Sequence, residues 1–234
     1  MNKLKIVICA VFTLLLVNTT AQADSSNFAG PYVGVTASGY GIQLDGTART
    51  SMVDTVGQEI DEVSIGQVAP VTGFEIGYAL PLGSAFLIDV GASMYQGSAK
   101  VGFIQDHVGT SAGNVPATDI GKDVSFSMDN LTNVYIAPTV ALSDTSSLYV
   151  KIALTEADVT VTGDITSPGN LSGTTWALGT RTVLESGIFI RTEAGYTDYN
   201  GLSAHGKGTN IGTDNTYSAE PTVAFGAVSL GFRF

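Results

Sequence analysis

The end of the chain alternates strictly. Counting back, Phe234, Phe232, Leu230 and Val228 are apolar and Gly226, Ala224 and Thr222 keep the same parity, while Arg233, Gly231, Ser229, Ala227, Phe225 and Val223 fall between them. Successive side chains of an extended backbone point to opposite sides, so a period of two writes a strand with two unlike faces. The same rhythm returns over Tyr32–Tyr40, Pro70–Leu80, Ala85–Tyr95, Thr132–Leu142, Leu148–Thr155, Trp176–Leu184 and Ile188–Tyr196. No stretch sustains the 3.6-residue apolar period of a helix. The sequence therefore predicts an all-β chain of eight strands.

The connections alternate as well. Pro81–Ser84, Ser143–Ser146 and Glu185–Gly187 read as tight turns, whereas Leu44–Val68, Gln96–Leu131, Thr155–Thr175 and Thr197–Pro221 read as long polar loops. Short turns at one end and long loops at the other describe an antiparallel up-and-down meander. Closing it into a barrel removes the unpaired edges that an open eight-stranded sheet would expose.

A soluble barrel and a membrane barrel share this rhythm and differ in which face is apolar. The less apolar faces here carry Gly34, Gly73, Gly77, Gly91, Gly179, Gly195 and Gly231. On a wet surface such glycines would only weaken the strands, but inside a narrow eight-stranded barrel they relieve crowding. The same faces carry Glu75, Asp89 and Glu193 against Lys151, Arg181, Arg191 and Arg233. Opposite charges confined at similar depth can pair, and unpaired burial would be costly. The apolar faces place Tyr78, Phe86, Phe232 and Phe234 toward the tight turns and Trp176 and Tyr196 toward the loops, as aromatic girdles at two membrane interfaces require. The expectation is a transmembrane β-barrel with a lumen charge network.

The N-terminus reads as an address. Lys3 and Lys5 precede the apolar run Ile6–Val17, and Ala21-Gln22-Ala23 offers a small-x-small cleavage site. This is a secretory signal pattern, with cleavage expected near Ala23 and the barrel occupying 24–234. The apolar run is too short to span a bilayer as a helix. The single cysteine, Cys9, lies within it, so the mature chain is expected to form no disulfide and to use no thiolate chemistry.

Phe28-Ala29-Gly30-Pro31-Tyr32-Val33-Gly34 after this segment, and Val228-Ser229-Leu230-Gly231-Phe232-Arg233-Phe234 at the end, resemble the eight-stranded outer-membrane barrels of Gram-negative bacteria, the opacity-protein and outer-membrane-protein-A-type domains. The resemblance covers the whole mature chain. It implies short periplasmic turns and long extracellular loops. It also implies an assembly signal in Val228, Leu230, Phe232 and Phe234 that the barrel insertion machinery would recognise. Some relatives carry a peptidoglycan-binding domain after the barrel, and none is expected here beyond Phe234.

The chain holds few candidates for chemistry. Both histidines, His107 and His205, fall in expected loops, with Asp106 and Ser203 as neighbours. A hydrolase needs nucleophile, base and orienting acid in reach, and the His-x-Ser strand pair of barrel lipid deacylases is missing. Asp54, Glu59, Asp61 and Glu62 form an acidic cluster in the first loop, a weak metal candidate whose spacing matches no calcium loop. No cofactor and no enzymatic activity are expected. A net charge of −11 excludes a nucleic-acid partner, because phosphate binding needs clustered bases. That acidity concentrates in the long loops.

Three roles stay open. The first is a surface antigen, adhesin or envelope scaffold with a plugged lumen, in contact with outer-membrane lipid, lipopolysaccharide and extracellular ligands. The alternatives are a narrow porin-like channel for small solutes and a lipid-modifying enzyme.

Overall fold

A computed structural model of the chain describes residues 23–51, 58–103, 124–162, 166–205 and 216–234. Ten strands are assigned there. They are β1 (Gly30–Ser51), β2 (Gln58–Pro81), β3 (Phe86–Gln96), β4 (Ala99–Phe103), β5 (Val124–Ala141), β6 (Ser146–Thr162), β7 (Leu171–Val183), β8 (Ile188–Tyr199), β9 (Leu202–His205) and β10 (Thr216–Arg233). Eight of them form one antiparallel sheet in the order β1-β2-β3-β5-β6-β7-β8-β10, and β10 pairs back onto β1 to close it. The seam runs in continuous register from Tyr32↔Arg233 to Arg49↔Thr216. The short β4 and β9 add to β5 and β10. The expected all-β, eight-stranded up-and-down barrel is the observed fold.

The faces follow the alternation. Val33, Val35, Phe74, Ile76, Val90, Met94, Val134, Leu154, Leu178, Val228 and Leu230 all point outward and are exposed, Phe74 by 62% and Leu154 by 72%. A water-soluble wall does not present so continuous an apolar surface. On β3 the outward apolar run from Phe86 to Met94 extends about 26 Å along the strand, the scale of a tilted membrane-spanning wall. The charged and glycine-bearing faces turn inward.

The structure corrects the expected loops. Much of Leu44–Val68 is not loop, because β1 continues to Ser51 and pairs with β2 back from Gln58. Likewise β5 begins at Val124, β6 runs to Thr162 and β10 begins at Thr216. The physical reason is a second apolar interior. Ile42 and Leu44 on β1, Phe126 and Met128 on β5, Val159 and Val161 on β6, Leu202 and Ala204 on β9, and Tyr217 and Ala219 on β10 gather above the membrane-spanning zone. Extension of the hairpins is stabilised by burying this set. One irregularity interrupts it, a register shift in β5 between Asp129 and Thr132, where Asn130 adopts a left-handed φ of 50°.

Glu59, Asp61 and Glu62 consequently fall in β2, opposite Thr50, Ala48 and Thr47 of β1, rather than in a loop. Asp54 lies outside the described residues, as do His107 and the signal segment up to Gln22.

Candidate functional site in the barrel lumen

The lumen is built in layers. Its floor is a short strap at the tight-turn end, where Ser25–Phe28 forms a single 3-10 turn. The Phe28 side chain is fully buried among Tyr32, Ala79, Leu87, Ala141, Val183 and Phe189. Polar contacts pin the strap across the mouth. Ser25 donates its backbone N–H to Ser84 O at 2.7 Å and its hydroxyl to Gly83 O at 2.5 Å. The Asp24 backbone N–H reaches Asp144 Oδ1 at 3.1 Å. The Ser26 N–H donates to Asp24 Oδ1 at 2.9 Å, and this bond holds the Asp24 carboxyl below its ordinary range.

Above the floor sits a charge layer drawn from β2, β3, β6, β7 and β8. Arg191 Nη1 donates to Glu75 Oε2 at 2.7 Å, and its Nη2 lies 3.8 Å from Asp89 Oδ2. Arg181 Nη2 donates to the same Asp89 oxygen at 2.5 Å, which also accepts from Thr139 Oγ1 at 3.2 Å. Lys151 Nζ lies 2.6 Å from Glu193 Oε2, which also accepts from Tyr149 Oη at 2.9 Å. Each of these six charged side chains is almost completely buried, and three bases balance three acids. Buried charge of this kind is tolerated only when it is paired and hydrogen-bonded.

Aromatic rings fill the gaps. The Arg181 and Arg191 guanidinium carbons stand 4.8 and 5.0 Å from the Tyr32 ring centre, and Arg191 stands 5.1 Å from that of Tyr149. Lys151 Nζ is 4.8 Å from the Tyr135 ring centre, and Tyr135 Oη meets Tyr32 Oη at 2.9 Å. The rings fit because glycine faces them. A methyl group on Gly77, Gly179 or Gly231 would run into Tyr32, Tyr149 or Phe189 respectively, and one on Gly91 would lie 2.5 Å from Tyr135 Oη.

A belt of buried hydroxyls borders the charges. Thr175 Oγ1 bridges Thr155 and Thr197 at 2.6 and 2.7 Å. Thr36 bonds Ser229 at 2.7 Å, and Asn133 Nδ2 donates to Ser93 at 3.3 Å. The apolar interior of the hairpin extensions forms the ceiling, with Tyr40, Tyr95, Leu131, Leu171, Tyr199 and Val223 at its lower edge. An ion crossing this lumen would have to leave water, pass one apolar layer, break paired charges and cross a second apolar layer. Among the described residues, paired charges, aromatic rings and apolar side chains occupy the lumen from the Phe28 floor to the hairpin ceiling.

Glu75, Asp89, Lys151, Arg181, Arg191 and Glu193 are thus brought together. Arg233 stands apart. It is partly buried at the lower mouth, and its Nη1 donates to Ser26 O and Ala29 O at 3.2 Å each. It clamps the strap instead of joining the ion pairs. Sequence reasoning also missed Phe28, Tyr32, Tyr135, Tyr149 and Phe189 as lumen-filling groups. The available signal was parity, since Tyr149 shares a strand face with Lys151 and Phe189 with Arg191 and Glu193, while Tyr135 shares one with the polar Asn133 and Thr139. Only the register shows that a glycine lies beside each ring.

Tyr78, Phe86 and Tyr196 are exposed on the outer wall, and Trp176 is half-exposed opposite Tyr196. Val228, Leu230, Phe232 and Phe234 also point outward, the last two in edge-to-face contact at 5.2 Å. His205 sits in β9, where its N–H donates to Thr166 Oγ1 at 2.9 Å and its Nδ1 lies 3.3 Å from Thr216 Oγ1. Among the described residues no three metal-ligating side chains are grouped to hold a metal.

Comparison with known proteins fits this architecture. Residues 10–228 match the model of the outer membrane protein beta-barrel domain. The fold is similar to that of the outer membrane protein OprG from Pseudomonas aeruginosa, with 11% identity, 92% of this chain and 100% of that chain covered, and a TM-score of 0.51. Also similar are Ail, the attachment invasion locus protein of Yersinia pestis, with 12% identity, coverage of 86% and 99% and a TM-score of 0.39, and the outer membrane protease OmpT from Escherichia coli, with 10% identity, coverage of 88% and 97% and a TM-score of 0.45. Comparison with curated proteins finds no significant match.

Proposed function

Because the chain belongs to the outer membrane protein beta-barrel domain family, we propose that it acts as a closed barrel of the outer membrane, a surface scaffold that presents an extended β-structure to the exterior instead of passing solutes. The observation that supports this reading is the packing of the lumen. Three buried ion pairs lie between the Phe28 floor and the apolar ceiling. Eight strands leave an interior that side chains nearly fill, and here aromatic rings and paired charges fill it.

In this reading the tight turns and the strap face the periplasm, the signal segment is removed near Ala23, and the hairpin extensions project from the cell. Binding of extracellular ligands would use the acidic outer rim. The outward Val228, Leu230, Phe232 and Phe234 offer the alternating, aromatic-ended last strand that barrel insertion machinery would engage. The apolar wall meets outer-membrane lipid and, in the outer leaflet, lipopolysaccharide. No catalytic step is part of the proposal.

Liposome swelling tests it. Vesicles containing the refolded chain should swell no faster than empty vesicles in isotonic sugars of increasing size. Swelling that falls smoothly with solute size would establish the narrow-channel alternative and refute the closed scaffold.

A further inference from the structure

We propose that the outer wall over β6, β7 and β8 binds the neutral saccharide head group of a glycolipid in the surrounding leaflet, an inference that rests on the outer-membrane reading. Along each of these strands the outward face changes character at one height. On β6, Ile152 and Leu154 give way to Glu156. On β7, Leu178 and Trp176 give way to Thr174 and Ser172, and on β8, Tyr196 gives way to Asp198 and, just past the strand end, Asn200. The Trp176–Tyr196 cross-strand pair marks where hydrocarbon meets head groups, because amphipathic rings collect at that interface.

At this height the wall is indented by a cavity of about 410 Å³ lined by Leu154, Glu156, Ser172, Trp176, Asp198 and Asn200. Its size is at the lower end for small-ligand sites. The register sets Glu156 opposite Ser172 and Thr174 opposite Asp198. Asn200 Nδ2 donates to Ser172 Oγ at 2.7 Å, which fixes the amide beside the cavity. The carboxylates of Glu156 and Asp198 make no hydrogen bond or ion pair among the described residues.

These groups suit a sugar. A hexose has an apolar C–H face that lies against an aromatic ring, and hydroxyls that donate to carboxylates in charge-assisted bonds. A bare phosphate would meet two like charges and be repelled. The cavity opens at the lipid boundary directly above exposed Leu154, so a sugar seated there has its lipid tail against the apolar wall. That position selects a lipid-borne saccharide over a free one.

Trp176 is the single tryptophan of the chain, which makes intrinsic fluorescence a reporter of this site. The full chain is inserted into phosphatidylcholine vesicles doped with increasing fractions of monoglucosyl diacylglycerol. The expected result is a saturable shift in Trp176 emission that is unaffected by EDTA. Asp198→Asn should weaken it about tenfold, as loss of a charge-assisted bond requires, and Glu156→Gln/Asp198→Asn should weaken it further. Asp144→Asn at the opposite end should leave it unchanged.

Insertion without a saturable shift, or an equal shift in the double variant, would overturn the proposal alone. A shift seen only with a phosphorylated lipid and magnesium, and reversed by EDTA, would overturn it in favour of a cation bridge. Free glucose binding as tightly as the glycolipid would overturn the lipid-borne source. A chain that failed to enter vesicles at all would overturn the outer-membrane reading and this inference with it.

Discussion

The Arg191–Glu75 pair allows the sharpest mutational prediction, because its two members are not equally placed. Removing Arg191 leaves Glu75 without a counter-charge. The carboxylate is buried, and its Oε1 has no hydrogen-bond partner even in the intact site. Removing Glu75 leaves Arg191 with Asp89 at 3.8 Å and with the rings of Tyr32, Tyr149 and Phe189.

Arg191→Met should therefore cost about 3–5 kcal/mol, the usual penalty for orphaning a buried charge. Glu75→Met should cost about 1–3 kcal/mol. The double variant should recover much of the Arg191→Met loss, since an apolar pair of similar volume can replace buried ions at little net cost. The cycle would give a coupling of a few kcal/mol. Urea unfolding in phosphatidylcholine vesicles, followed by Trp176 emission and by the gel shift between unheated and heated samples, measures all four states. An Arg191→Met loss below about 1 kcal/mol, or a double variant no more stable than Arg191→Met, would refute the buried-pair account.

Four further outcomes follow from the layers. Gly77→Ala should destabilise by about 1–3 kcal/mol and be partly relieved by shortening Tyr32, the side chain it strikes. Gly91→Ala should resist such rescue by a Tyr135 change, because Ile76 O also lies 2.6 Å from the new methyl. Phe28→Ala should remove about 3–5 kcal/mol of burial from the strap, so that limited proteolysis nicks the N-terminal segment while the strands stay protected. The strap should also loosen in acid. The Asp24 pKa is held below its unfolded value by the Ser26 N–H, so its stabilisation is complete above the ordinary aspartate range and is lost as pH falls through the lowered value. The Ser26 amide resonance should report this titration, and Asp24→Asn should abolish it.

The barrel was legible in the sequence where each strand has two unlike faces. In Val228–Phe234 and Phe74–Leu80 every second residue is apolar, and lipid outside with glycine and charge inside follows directly. The upper hairpins were not legible. Leu44, Val159 and Val161 point inward but stand among Gly, Thr and Asp, and the contrast between faces fades where neither face meets lipid. The six paired charges were readable from parity and depth. Their partners were not, because Arg181 and Asp89 lie 92 positions apart and meet only through closure. Arg233 has the right parity but lies at the barrel mouth, where a strap carbonyl is nearer than any acid of the charge layer. Tyr135, Tyr149 and Phe189 escaped notice because an aromatic on a polar face resembles scattered variation until the neighbouring glycines are aligned with it.

The central claim is that paired charges between two apolar layers close the lumen. Single-channel recording of the refolded wild-type chain in a planar bilayer tests it most directly. A silent baseline interrupted at most by small, brief events is the predicted trace. Large, stable conductance steps would contradict it.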